Sequence, residues 1–179
     1  MNIAAKQFAS YGYHDTKISA IVHEANVTQP TFYLYFKSKD AIFQELIGIF
    51  KDKLHNHVEQ SRLSSGIETD DLLQRIATNI SLIFHFFQEN EQVARIGLFL
   101  SEEAIEIKKQ MAKQIEDNLT VEAEDGYFHT NINLSIVASA IVGVIEHFTF
   151  MKLWTGLNTP EELSIEITKL FLYGLIKEN

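Results

Sequence analysis

Apolar residues recur along the chain at spacings of three and four, the period of an α-helix with one buried face. In the first eleven residues Ile3, Ala4, Phe8 and Tyr11 form such a face. Gly12 stands where this helix should end. Residues that cap helices precede most later apolar runs, and strand-like alternation is scarce. The pattern predicts an all-α protein of about nine helices without internal repeats.

The N-terminal part of the chain is predicted to hold four helices. The residues expected to cap the second, third and fourth of them are Thr16, Thr28 and Ser38. The third helix is short, and the fourth keeps its helical register toward Gln60, long enough to leave one domain and enter another. We therefore predict a helix-turn-helix domain in residues 1–48, joined by this long helix to a second domain, a helical bundle, in residues 49–179.

Two apolar helices are predicted at the C-terminal end. Asn133 should cap a nearly all-apolar helix from Leu134 to about Trp154, and the final helix should begin at a capping box, Thr159-Pro160-Glu161-Glu162, and run to Ile176. They carry more apolar surface than one bundle face needs, which favours a two-fold four-helix bundle between two copies. The predicted dimer-interface residues are Ile141, Ile145, Leu163, Ile167, Leu170, Phe171 and Gly174.

The composition argues against disulfide-stabilised, secreted and membrane-spanning classes of protein. A chain of 179 residues, 46% of them hydrophobic, can bury a core. It has no cysteine, which excludes disulfides and thiolate chemistry and favours the cytosol. The N-terminus lacks a signal-peptide pattern, and no run of about eighteen apolar residues is free of charge. We expect a cytoplasmic protein without membrane contact.

The net charge of −9 at first argues against nucleic acid, because DNA affinity depends largely on lysine and arginine. However, the first fifty residues are neutral, and the acidic excess lies downstream. Their charged residues are Lys6, Lys17, Lys37 and Lys39 against Asp15, Glu24, Asp40 and Glu45. A neutral DNA-binding domain predicts modest non-specific affinity for DNA. Direct contacts and the avidity of a dimer should then supply a larger share of the binding free energy.

Residues 16–36 have the spacing of a helix-turn-helix, in which the second helix lies in the major groove. Asn26 occupies the sharp reversal, and asparagine tolerates the left-handed conformation. Val27 and Phe32 are expected in the core. The residues expected to face outward are Gln29, Pro30, Thr31, Tyr33 and Leu34. Glutamine can pair with adenine edges, and tyrosine can reach phosphate.

The run from Ala25 to Ile42, ANVTQPTFYLYFKSKDAI, preceded by Phe8-Ala9-x-x-Gly12-Tyr13 and by Thr16, closely resembles the TetR family of one-component bacterial regulators. Gly143-x-x-Glu146 downstream continues the likeness more weakly. The resemblance implies a homodimer, a palindromic double-stranded DNA operator and a small-molecule inducer. It also implies a repressor, since that is the usual role in the family.

Carried over by position, the resemblance places a set of residues against DNA. These residues are Thr28, Gln29, Pro30, Thr31, Tyr33 and Tyr35 in the groove, Lys39 on a phosphate, and Lys17 and Ser19 as secondary contacts. Three features depart from the family. Asn26 replaces the usual turn glycine, Val22 replaces the usual alanine where the helices cross, and no basic arm precedes the first helix.

The second domain is rich in aromatic, histidine and methionine side chains, and few charged side chains lie among them. The predicted ligand-binding residues are Phe84, Phe87, Arg95, Phe99, Glu146, His147, Phe150, Met151 and Trp154. The alternative is that they are core, because helices apolar all round are buried with or without a cavity. His55 and His57 are two apart rather than four, so we expect no metal site and no cofactor.

Two other functions remain open from the sequence. The neutral N-terminal domain would also suit a family member that has lost operator binding and acts as a protein-binding coactivator. A helical enzyme using the His and Glu residues is the second alternative, although no nucleophile–base motif supports it. We expect a DNA-binding regulator, not an enzyme, released from its operator by an apolar or amphipathic ligand.

Overall fold

The computed structural model describes residues 1–129 and 131–175. Within these residues it has nine α-helices, two π-helical turns and no strand, which confirms the all-α prediction. The helices are α1 (Asn2–Asp15), α2 (Ile18–Glu24), α3 (Gln29–Tyr35), α4 (Lys39–Gln60), α5 (Thr69–Glu89), α6 (Glu91–Arg95), α7 (Ala104–Glu124), α8 (Leu134–Phe148) and α9 (Pro160–Tyr173). The π-helical turns are Ile96–Leu100 after α6 and Thr149–Leu153 after α8. Ile176, the predicted end of the last helix, lies outside the described residues.

Most predicted helix starts are confirmed by side-chain caps. The Thr28 and Asn133 side chains accept hydrogen bonds from backbone N–H groups three residues on. Ser38 Oγ accepts from the Ala41 N–H at 3.0 Å. At α9 the Thr159 side chain accepts from the Glu162 N–H at 3.2 Å, and the Glu162 carboxylate accepts from the Thr159 N–H at 3.1 Å. These bonds satisfy N–H groups that a helix start leaves unpaired.

The prediction that Thr16 caps α2 is wrong. The residue at that position is Lys17, and no side chain caps α2. The buried Thr16 hydroxyl instead donates backward, to the Gly12 carbonyl at 2.7 Å and the Gln7 carbonyl at 3.1 Å. Gly12 interrupts α1 with φ +77° and leaves carbonyls without helical partners. Thr16 therefore completes the end of α1.

The chain divides into two compact units. The first contains Met1–Lys53 and Asn90–Ile107, and the second contains Leu54–Glu89 and the chain from Lys108 onward. The sequence prediction ends the N-terminal domain at residue 48 and assigns Asn90–Ile107 to the second domain, whereas the structure places this segment in the first unit. Its helix α6 and the π-helical turn that follows pack against α1. This long-range packing carries no local sequence signal.

The core of the first unit is aromatic. The ring centroid of Phe43 lies 5.1 Å from that of Phe8 and 4.8 Å from that of Tyr13. Phe50, further along α4, packs directly on Gly97 in the π-helical turn, where a methyl group would overlap its ring. Gly97 therefore permits the close approach of this turn to α4.

In the second unit α5 packs along α9. Phe84 and Phe87 of α5 are fully buried, and Leu163 and Ile167 of α9 are also buried. The Trp154 indole N–H donates to the Phe87 carbonyl at 3.2 Å. The unit thus has a dense apolar centre in which the only tryptophan is hydrogen-bonded.

The segment Leu134–Leu153, which comprises α8 and the following π-helical turn, is unusually apolar. By length and composition alone it could cross a membrane, with a mean hydropathy of 1.8, although Glu146 and Lys152 lie within it. Only 22% of this window is buried. Exposed residues recur along it at alternating spacings of four and three, and we call them the outer face of α8. They are Ile136, Ala140, Gly143, His147 and Phe150.

Candidate DNA-binding site and ligand cavity

The turn between α2 and α3 has the predicted geometry at Asn26. This residue has φ +53°, and among the described residues it is the only one other than glycine with positive φ. The prediction is therefore confirmed, as is the burial of Phe32. The expectation that Val27 is buried is wrong, since it is 43% exposed. Ile21, Val22 and Phe32 already supply the buried apolar side chains of this helix pair.

The outward side of α3 presents the predicted contact residues to solvent. Gln29 and Pro30 are exposed at its first turn. Tyr33 and Tyr35 are 53% and 77% exposed. Thr31 is half-buried, and its hydroxyl lies 2.9 Å from that of Thr28. Two exposed aromatic side chains of this size on one short helix form a surface suited to contact a partner.

Lys39, predicted to hold a phosphate, is engaged within the protein. Its ammonium donates to the backbone carbonyls of Tyr13 at 2.7 Å, His14 at 3.1 Å and Thr16 at 3.0 Å. It also lies 4.5 Å from the centroid of the Tyr13 ring. A lysine has three N–H donors, so these carbonyls use them all in this arrangement. The phosphate contact stays a prediction, and the structure adds a second role, which is to hold the end of α1 against α4.

Replacement of Lys39 by methionine is expected to lower the free energy of unfolding by about 1–3 kcal/mol, because it removes charge-assisted hydrogen bonds to three carbonyls. Urea unfolding followed by circular dichroism measures this. Lys37→Met is the matched control, since Lys37 is exposed and makes no hydrogen bond or ion pair among the described residues. Equal stability of both variants would show that the Lys39 contacts contribute nothing.

The other cations of the first fifty residues differ in availability. Lys6 pairs with Glu24 at 2.6 Å, and this contact lowers the pKa of the Glu24 carboxyl and raises that of Lys6. Lys17 and Lys37 are exposed and have no such partner in the described structure. Ser19 is also exposed, beside Lys17 at the start of α2. Lys17 and Lys37 are therefore the lysines of this segment best placed for phosphates.

The predicted ligand-binding residues do not gather around one cavity. Phe84 and Phe87 are core residues, whereas His147, Phe150 and Met151 are exposed. The polar members have protein partners, with Glu146 2.9 Å from Lys108 and Arg95 2.8 Å from Glu91. Phe99 is half-buried in the first unit, and Trp154 is half-buried in the second. Their role in ligand binding stays a prediction.

Two adjacent cavities in the second unit are lined by other residues. The first, of about 110 Å³, is bounded by α4, α5, α7 and α8, and we call it the Glu122 cavity. The second, of about 330 Å³, is called the His129 cavity and reaches α9 at Phe171. They share the lining residues Ile76, Ile80, Leu119, Phe128 and Ile141. Ligand pockets typically have volumes of about 300–1,000 Å³ and mostly apolar walls. The His129 cavity lies within this range of volume, and the walls of both cavities are mostly apolar.

Glu122 is the buried charged residue that sequence reasoning missed. It is 5% exposed, and its Oε1 accepts a hydrogen bond from the Leu63 N–H at 2.8 Å. Burial raises the pKa of this carboxyl, while the Leu63 hydrogen bond opposes the rise. In the sequence it appears as one of several acids near the end of α7, so nothing local marks it as buried.

The predicted dimer-interface residues fall into two groups. Ile145, Leu163 and Ile167 are buried within the protomer. The others are more accessible, and these are Ile141, Leu170, Phe171 and Gly174. Ile141 and Ile145 line the Glu122 cavity, and Phe171 lines the His129 cavity. The interface role of all seven residues stays a prediction.

Comparison with known proteins identifies the family. Residues 1–46 match the family described as bacterial regulatory proteins, tetR family. The HTH-type transcriptional regulator YdgC of Bacillus subtilis is 40% identical over 176 residues, covering 98% of this chain and 90% of that protein. A negative regulator of the biofilm operon icaADBC in Staphylococcus aureus, IcaR, is 24% identical over 149 residues, covering 82% of this chain and 75% of that protein.

The fold agrees with this assignment. The structure of the transcriptional regulator FadR from Bacillus subtilis in complex with stearoyl-CoA superposes with a TM-score of 0.72. Its sequence is 22% identical, and the match covers 98% of this chain and 97% of that one. The predicted family resemblance is confirmed, as is the expectation of a regulator in place of an enzyme. The chain belongs to the TetR family of bacterial transcriptional regulators.

Proposed function

We propose that the chain is a cytoplasmic repressor that binds a palindromic DNA operator as a homodimer and releases it when a small apolar or amphipathic molecule binds the second unit. The observation that carries the proposal is the exposed surface of α3. It presents Gln29, Tyr33 and Tyr35 to solvent after a turn fixed by Asn26, within the segment that matches the family. The name of IcaR as a negative regulator supports the repressor assignment.

Gln29→Ala tests the DNA-contact role of α3. Glutamine reads adenine edges through two hydrogen bonds, so its loss should weaken binding by about 1–3 kcal/mol per half-site and relax preference at one base pair. Fluorescence anisotropy with a labelled duplex that the parent selects from a random pool measures this. Gln74→Ala is the control, because Gln74 is exposed on α5 in the second unit. If Gln29→Ala binds like Gln74→Ala, α3 is not the reading helix.

Dimerisation is supported by the outer face of α8. Ile136 is 66% exposed and Phe150 is 46% exposed, although they lie in the most apolar segment of the chain. At Gly143, midway between them, a Cβ would have no atom within 4 Å apart from its two chain neighbours and the backbone of its own helix. An apolar helix face of this kind is typically buried against a partner. Two copies related by a two-fold axis can pack the outer faces of their α8 helices against each other.

Ligand-controlled release is supported by the cavities and by the continuity of α4. Val58, near the C-terminal end of α4, lines the Glu122 cavity, and Lys39 begins the same helix. A ligand that shifts Val58 can thus displace the end of α4 that holds α1. Release requires that the ligand bind the released conformation better than the DNA-bound one, typically by about 1–3 kcal/mol of coupling.

A further inference from the structure

The polar side chains that line the Glu122 cavity are Ser61, Asn79, Asn118 and Glu122. No lysine, arginine or histidine is among the described residues that line it. Glu122 is therefore the only ionisable lining group of this cavity within the described chain. His129 lines only the neighbouring cavity.

Each of the three uncharged lining side chains donates one hydrogen bond to the backbone. The Asn79 amide nitrogen donates to the Ser61 carbonyl at 2.5 Å, and the Ser61 hydroxyl donates to the Val58 carbonyl at 2.7 Å. The Asn118 amide nitrogen donates to the same Val58 carbonyl at 2.9 Å. Each asparagine keeps one further amide N–H, and the side-chain oxygens of all three residues can accept hydrogen bonds from a molecule in the cavity.

Glu122 reinforces this acceptor character. One carboxyl oxygen accepts from the Leu63 N–H, which leaves the second oxygen with acceptor capacity. The charge of Arg62 favours the ionised form of Glu122, but Arg62 is exposed and does not line the cavity. A buried carboxylate is costly unless a cation or donors compensate it. A ligand that brings an ammonium group would supply that compensation.

We propose that the natural ligand is an amphipathic amine, with its ammonium group on Glu122 and its apolar body between α5, α7 and α8. This inference rests on the proposed function of the second unit as the ligand-binding part of a regulator. It separates this chain from the solved relative in complex with stearoyl-CoA. The phosphates of coenzyme A are anionic acceptors, whereas this cavity offers acceptors and no cation. Recognition of this kind rests on a charge-assisted hydrogen bond between ammonium and carboxylate.

The test uses the full chain and four probes that share an eight-carbon body: octylamine, 1-octanol, octanoate and octanoyl-CoA. Isothermal titration calorimetry at neutral pH should show that octylamine binds about ten to a hundredfold more tightly than 1-octanol, as expected for one charge-assisted hydrogen bond. Octanoate and octanoyl-CoA should bind no more tightly than 1-octanol. Tighter binding of either acid derivative would overturn the proposal, and so would binding of none of the probes.

Glu122→Gln provides the residue-level test. Glutamine keeps the oxygen that accepts the Leu63 N–H, so the variant should fold with parental circular dichroism. It removes the charge and replaces the second carboxylate oxygen with an NH2 group, which cannot accept a hydrogen bond from an ammonium. Its preference for octylamine over 1-octanol should fall about tenfold or more while 1-octanol binding is unchanged. Glu124→Gln, an exposed position on the same helix, is the control and should behave as the parent. Retained amine preference in Glu122→Gln would overturn the assignment of Glu122.

The two proposals fail separately. Selection of a palindromic duplex by the ligand-free protein tests the proposed function and uses no probe. A chain that selects such a duplex but prefers octanoyl-CoA would retain the regulator function and lose the amine ligand. A chain that prefers octylamine but selects no duplex would retain the ligand and lose operator binding.

Discussion

Gly143→Glu is expected to convert the protein to a monomer and to weaken its binding to a palindromic duplex by about 10²–10⁴-fold, because the avidity between two DNA-binding units is lost. The protomer should tolerate the change, because the new Cβ would meet no atom within 4 Å beyond its chain neighbours and its own helix backbone. Glutamate also favours the helix more than glycine does. In a two-fold pairing of the outer faces of α8, however, two carboxylates would meet in an apolar contact. Sedimentation velocity gives the oligomeric state.

Two further variants sharpen this test. Ile136→Glu changes another residue of the same outer face and should also give monomers. Thr120→Glu adds the same charge at an exposed position of α7 and should remain dimeric. If Gly143→Glu and Ile136→Glu sediment as parental dimers, the outer face of α8 is not the dimer interface.

Phe84→Ala is expected to lower the free energy of unfolding by about 3–5 kcal/mol, the usual cost of removing a fully buried phenyl ring. Phe84 is 0% exposed on α5 and lines neither the Glu122 cavity nor the His129 cavity. Its ring therefore packs against protein on all sides, and its removal leaves an unfilled space. Urea unfolding monitored by Trp154 fluorescence measures the loss.

The control for Phe84→Ala is Leu82→Ala, two residues away on α5, where the side chain is 51% exposed. It should cost well under half as much, because most of its apolar surface is already in water. A small loss in Phe84→Ala, together with an altered response to ligand, would instead support the prediction that Phe84 lines a binding site.

Local chemistry carried most of what the sequence predicted. Thr28, Asn133 and Thr159 cap helices through hydrogen bonds that span three residues, and Asn26 adopts its left-handed conformation within a single turn. Such signals depend on neighbours in the sequence and can be read without the fold. Thr16 shows the limit of such local prediction. The break at Gly12 leaves carbonyls of α1 without helical partners, and the Thr16 hydroxyl donates to one of them instead of capping α2.

The cavity could not be predicted, because it depends on long-range packing. Glu122 is bonded to the backbone of Leu63, which is 59 residues away in the chain, and no periodicity distinguishes it from exposed acids nearby. Aromatic density identified Phe84 and Phe87, but density alone does not separate a core from a pocket wall. The cavities are lined mainly by isoleucine and leucine side chains together with Phe128, and no pattern in the sequence marks these residues as cavity walls.

The central claim, that this family member reads DNA as a dimer through α3, is tested most directly by selection of duplexes from a random-sequence pool. The ligand-free protein is used for repeated rounds of binding, and the retained duplexes are sequenced. The account predicts enrichment of one motif made of two inverted half-sites, as a two-fold dimer of helix-turn-helix domains requires. A pool that stays random through all rounds, with binding that depends on salt but not on sequence, would contradict it.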